Sequence, residues 1–166
     1  MESPHEPQVE YSALPVGDEE TLLRLIWSDV DLNDEGGLKP TAFSSQDLME
    51  RGVSVDRTCL ATRLNMDALA TFQKSKSRKP DGAYPYVSLV SVIALRAEQD
   101  EAGQALFIVE ASPTVADPSR NLPANRAHAH FLSRAKGPRS KVNELRLILL
   151  NLFAPPTPLA NHSFSS

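Results

Sequence analysis

The sequence predicts an α+β fold: a mostly antiparallel sheet, two or three helices packed on one face, and a C-terminal amphipathic helix. Three observations carry that expectation. Runs rich in β-branched and large apolar residues recur along the chain, "TLLRLIW", "VSVDR", "YVSLVSVIALR" and "ALFIVEAS", and such runs bounded by turn residues read as strands. After Gly137-Pro138, the residues Val142, Leu145, Ile148, Leu149 and Leu152 fall on one stripe at helical spacing. A length of 166 residues with 41% apolar content suits one domain with a core of its own.

Taken in order, the chain opens with an acidic, proline-bearing segment, residues 1–19. Glu2, Glu6, Glu10, Asp18 and Glu19 occur there with no Lys or Arg. It lacks periodicity and reads as flexible. The folded domain is expected over residues 20–153, followed by a flexible tail, residues 154–166. Thr21 to Trp27 reads as the first strand, with Arg24 set among apolar neighbours. The loop "SDVDLNDEGGLKP" spaces Asp29, Asp31 and Asn33 like the first ligands of an EF-hand. Asp34 then stands where the sharp turn needs Gly, and Pro40 where the bidentate Glu belongs, so a solvated turn is expected rather than a calcium loop.

"TAFSSQDLMERG" suggests a short helix capped by Ser45, with Gly52 just past its end. Val53 to Arg57 alternates, which puts Val53 and Val55 on one face and Ser54 and Asp56 on the other. Thr58 to Lys74 carries Leu60, Leu64, Leu69 and Phe72 at roughly helical spacing, with Asn65 and Met66 blurring the phase. The runs from Tyr86 and to Ser112 are expected to pair as a hairpin across the segment containing Gly103. A proline-punctuated connector leads to a strand over Ala127 to Ser133. Ser140 is expected to cap the last helix, which runs through Leu152.

Charge and cysteine content narrow the function classes. A net charge of -4 gives no global attraction to nucleic acid. The basic stretches Lys74 to Lys79 and Arg134 to Lys141 lack interleaved aromatics, so a nucleic-acid partner is not expected. A lone cysteine, Cys59, excludes an intrachain disulfide framework and a cysteine-rich zinc site. It sits near the start of a predicted helix and reads as a small half-buried thiol. No apolar run approaches the ~20 residues of a membrane span, and there is no basic-then-apolar leader. The expected location is the cytoplasm of a bacterium-like cell.

The chemistry-bearing candidates converge on "NRAHAHF". In a strand, residues two apart share a side, so His128 and His130 present both imidazoles to one ligand. Metal binding asks for further ligands and phosphate chemistry for an acid–base partner and a charge clamp. Glu110, Asp117, Arg126, Arg134 and Lys136 are candidates for those roles. A third alternating histidine is absent, since Leu132 occupies its place. No metal and no cofactor are assigned. The plainer expectation is the outward side of a strand whose Ala127, Ala129 and Phe131 pack inward. A second constellation, Arg24, Ser44, Ser45, Asp56 and Glu110, follows the order in which some ADP-ribosyltransferases hold NAD.

The segments "LLRLI", "KPTAFSS", "VSVDR" and "NRAHAHF" occur in that order. On them the chain resembles a loosely defined group of short uncharacterised bacterial proteins with a Ser/Ala-Phe, Ser-Val-Asp and Asn-x-Ala-His pattern. The likeness covers about Leu22 to Gly137 and departs after Pro138, and Arg126 stands where the pattern has Pro. It implies no activity. It implies that Phe43, Ser54, Val55, Asp56 and His128 belong to one shared surface or core.

No motif supplies a nucleophile with its base, a complete metal shell or a phosphate-cradling glycine loop. The expectation is therefore a non-catalytic accessory or partner-binding protein with a protein partner. Its surface would comprise Ser54, Asp56, Arg57, Asn125, Arg126, His128 and His130. The alternative is a small nucleotide-acting enzyme, NAD-dependent transferase-like or using histidine-dependent phosphate chemistry, with His128, His130, Arg24 and Glu110 as its candidate catalytic residues.

Overall fold

A computed structural model describes residues 14–76 and 79–164. The fold is α+β. Six strands, β1 (Thr21–Trp27), β2 (Val53–Arg57), β3 (Pro85–Ser91), β4 (Phe107–Ala111), β5 (His128–Ser133) and β6 (Thr157–Pro158), form one sheet in the order β4-β5-β2-β1-β3-β6. Every neighbouring pair is antiparallel. Three helices, α1 (Arg63–Lys76), α2 (Val92–Ala97) and α3 (Arg139–Leu152), pack around it. Among the described residues no helix is long and apolar enough to cross a membrane.

Alternation along the strands divides the side chains between two faces. On the first face lie Leu22, Val53, Val55, Val90, Phe107, Val109, Ala129 and Phe131. They form one apolar cluster with Val92 and Leu95 of α2 and with Val142, Leu145 and Leu149 of α3. Phe131 sits at its centre, 5.9 Å edge-to-face from Phe107 and 6.1 Å from Phe153. On the second face, Leu23, Leu25, Trp27 and Val87 pack against Met66 and Ala70 of α1 and against Leu159. Helices thus cover both faces rather than one, because α1 returns on the side opposite α2 and α3. Its anchors are Met66 and Ala70, four residues apart, while Leu64 is exposed. Met66, which blurs the apolar phase of the sequence, is the residue that sets it.

The hairpin expected over Tyr86 to Ser112 does not form. β3 pairs with β1 over seven residues, from Thr21↔Ser91 to Trp27↔Pro85, and three strands separate it from β4. The apolar run breaks at Ser91, whose hydroxyl accepts the Ala94 N–H and starts α2. α2 then carries the chain over the first face to the other edge of the sheet. Strand propensity identified both strands, but it does not name their partners.

The two chain ends also differ from expectation. Residues 1–13 lie outside the described residues, as do 77–78 and 165–166. Residues 14–19, assigned to a flexible lead-in, contribute a buried Val16, and the carbonyls of Leu14 and Pro15 accept from Arg57. Residues 154–164, expected as tail, supply β6, the buried Leu159, and Phe164 beneath the Arg63 guanidinium. The turn before β2 is a π-helical turn, Asp47–Arg51, and Ser44 rather than Ser45 accepts its first N–H, that of Asp47. The acidic loop folds on itself as a turn. Asp31 accepts the Trp27 N–H, and Asn33 accepts those of Glu35 and Gly37.

Candidate functional site

α1 and the C-terminal segment cover the second face over β1 and β3. The adjoining half, formed by β2, β5 and β4, is built differently. Register places its polar side chains in two rows across these three strands. The first row runs Ser54–His130–Glu110, and the second runs Asp56–His128 and on to Ser112, whose N–H donates to the His128 carbonyl. Both histidines point to this face, while Ala129, Phe131 and Ser133 between and beyond them are buried on the other. The alternation expected for this strand is present.

The second row is closed. The connector between β4 and β5 folds back over this end of the sheet, held by the bridges Thr114↔Asn125 and Asp117↔Leu122. Its 3₁₀ turn, Pro118–Arg120, reaches α1, where the Arg120 guanidinium lies 5.5 Å from the Phe72 ring centre. At the base of the connector, Asn125 donates to Asp56 Oδ1 at 2.6 Å. Asp56 is only 3% exposed, and burial raises its pKa against the lowering effects of Asn125 and His128. His128 donates through Nδ1 to the Ser112 carbonyl at 2.7 Å. In the neutral ring that leaves Nε2 as the acceptor. Asp56 and His128 are thus held by the fold, and Asp56 does not belong to an exposed surface.

The first row is open. Ser54 and Glu110 are exposed and His130 is partly so. His130 Nε2 donates to Glu110 Oε2 at 3.0 Å, and the ring is fixed from the other side by Gly52. Gly52 has φ +92°, and a Cβ there would stand 2.8 Å from His130 Cγ. Position 52 therefore requires glycine twice, for its backbone conformation and for the imidazole. Beside this row, Ile108 and Leu132 face one another across β4 and β5. Both are half-buried, and neither belongs to the two apolar cores. Sequence reading passed over this pair, although the alternation that turned the histidines outward does the same for Leu132.

The remaining candidates are dispersed. Arg57 is buried on the first face, where its guanidinium forms a bidentate pair with Glu20, both N–O distances being 2.7 Å. That contact holds the Glu20 carboxyl down from 4.5 to about 2 and raises the Arg57 pKa. Arg57 is a structural ion-pair member and not a surface contact. Arg24 also points to the first face. β1 and β2 pair at Leu22↔Arg57 and Leu23↔Asp56, and beyond these pairs Arg24 bridges the gap, donating to the carbonyls of Ser54 at 2.9 Å and Ala42 at 2.8 Å. Its cation lies 5.6 Å from the Phe43 ring centre, and desolvation lowers its pKa.

Arg24 and Glu110 thus lie on opposite faces of the sheet, two strands intervening. The Arg–Ser–Glu order in the chain is not an assembled site. Arg126 is exposed beside the connector, and Asn125 is tied to Asp56. Among the described residues no cluster of three or more His, Cys, Asp or Glu is placed to hold a metal ion. Cys59 is exposed; burial of part of its surroundings and Glu20 raise its thiol pKa, which works against nucleophilic reactivity. No protein-family model, curated protein or solved structure matches the chain.

Proposed function

We propose that the chain is a non-catalytic accessory protein of a bacterial cytoplasm that receives a protein partner on the open half of the second face. The observation that carries this reading is the Ile108–Leu132 pair, an apolar step outside both cores and rimmed by Ser54, His130 and Glu110. An apolar centre with a polar rim is the anatomy of a recognition surface. The partner would set an apolar side chain on this step and hydrogen-bond to Ser54 and to the free Nδ1 of His130.

The test is native purification with mass spectrometry of what remains bound, run in parallel for the wild type and Leu132→Arg. A protein retained stoichiometrically by the wild type and lost from a variant of unchanged melting temperature supports the surface. Equal retention by both, or a retained nucleotide that is turned over, overturns it.

A second reading, histidine-dependent phosphate chemistry, draws on one contact: Glu110 orients His130 at 3.0 Å in the manner of a carboxylate supporting a general base. Phosphatase turnover lost in His130→Ala would favour it.

A further inference from the structure

A cavity of about 630 Å³ lies between the turn Asp47–Arg51 and the start of α3, away from the open row. Its polar wall carries Arg139, Arg146, Ser45 and Gln46, and its apolar floor is Met49 and Val142, both buried. A volume in this range is typical of small-ligand sites. Arg146 is fixed by donation from Nε to the Phe43 carbonyl at 2.8 Å, and its Nη1 lies at 3.5 Å from Asn143 Oδ1. Its guanidinium is therefore held in place, with Nη2 bonded to no acceptor among the described residues. Neither Arg139 nor Arg146 forms an ion pair among the described residues. One acid, Glu50, shares the lining.

We propose that this cavity binds a small soluble organic phosphate. Two guanidiniums in no ion pair among the described residues line one cavity, and the planar arginine fork is suited to phosphate oxygens. The hydroxyl of Ser45 and the amide of Gln46 extend the hydrogen-bonding wall. Met49 and Val142 supply the surface on which the organic part rests, so the phosphate ester is favoured over the bare anion. The site is independent of the partner surface above.

The test is a titration of the ¹⁵N-labelled full chain with phenyl phosphate and, separately, with inorganic phosphate. The expected result is saturable shifts in the amides of residues 45–50 and 139–146, with phenyl phosphate binding several-fold more tightly than inorganic phosphate. Arg139→Gln, an exposed position, should weaken phenyl phosphate about tenfold, or 1.4 kcal/mol. Glu50→Gln, also exposed, should tighten it. The absence of saturable shifts at these residues, equal affinity for the two anions, or an affinity unmoved by Arg139→Gln would each overturn the proposal.

Discussion

The two faces of β5 differ sharply in what they bury. Ala129 and Phe131 are fully buried against the aromatic cluster under α3, whereas His128, His130 and Leu132, their immediate neighbours, are half-buried on the other side. One strand therefore serves two purposes. The first face buries apolar area, the dominant source of stability. The second keeps a row of polar groups and an apolar step that the fold does not consume. Where β1 and β3 continue the sheet, that second face is covered by α1, so the open part is confined to three strands.

The comparison can be broken by substitution. Phe107→Ala should have the largest effect, a loss of about 3–5 kcal/mol in denaturant unfolding, because its ring packs edge-to-face on Phe131 at 5.9 Å. Glu20→Gln comes next on the same face. It leaves a buried Arg57 without its carboxylate and should cost about 3 kcal/mol at neutral pH. The pH dependence follows from the same pair. Glu20 has its folded pKa depressed from 4.5 to about 2, so its contribution is present above 4.5 and is lost as pH falls towards 2. In Glu20→Gln the acid-side loss of stability should be correspondingly shallower.

Asp56 sharpens the comparison, because it titrates with the opposite sign. Its folded pKa is raised above 3.8, so its protonated form is favoured by folding. Stability from this group is greatest below 3.8 and declines as pH rises through the raised value. Asp56→Asn keeps an acceptor for Asn125 and should remove that decline, which pH-dependent denaturant unfolding of the variant and the wild type would show. The smallest effect is expected on the open row. His130→Ala should alter stability by no more than about 0.5 kcal/mol, since its Glu110 partner is largely exposed.

Much of this division was legible in the alternation of single strands. "TLLRLIW", "VSVDR" and "AHAHFLS" each became the strand their pattern implies, and the stripe Val142, Leu145 and Leu149 is buried along α3. Pairing was not legible, because β3 and β4 are consecutive strands that a helix separates by three others in the sheet. The fate of Asp56 was hidden for a related reason. Alternation correctly set it beside Ser54, but whether such a residue meets solvent depends on the connector, whose Asn125 is 69 positions away. Sequence reading set Arg24 among candidate catalytic residues and Arg57 on a binding surface, yet both are tied into the fold through partners distant along the chain. The order of "APPTPLANHSF" was missed because short extended segments with proline carry no periodic signal; it is their docking on β3 and α1 that orders them.

The most direct test of this account compares two adjacent residues of β5. Phe131→Ala and Leu132→Ala should be measured side by side by equilibrium denaturation. The account expects the first to lose about 3–5 kcal/mol and the second less than about 1 kcal/mol, because one side chain lies in the core and the other on the open face. Equal losses would mean that the second face is as much a part of the core as the first, and would contradict its assignment as the surface left for a partner.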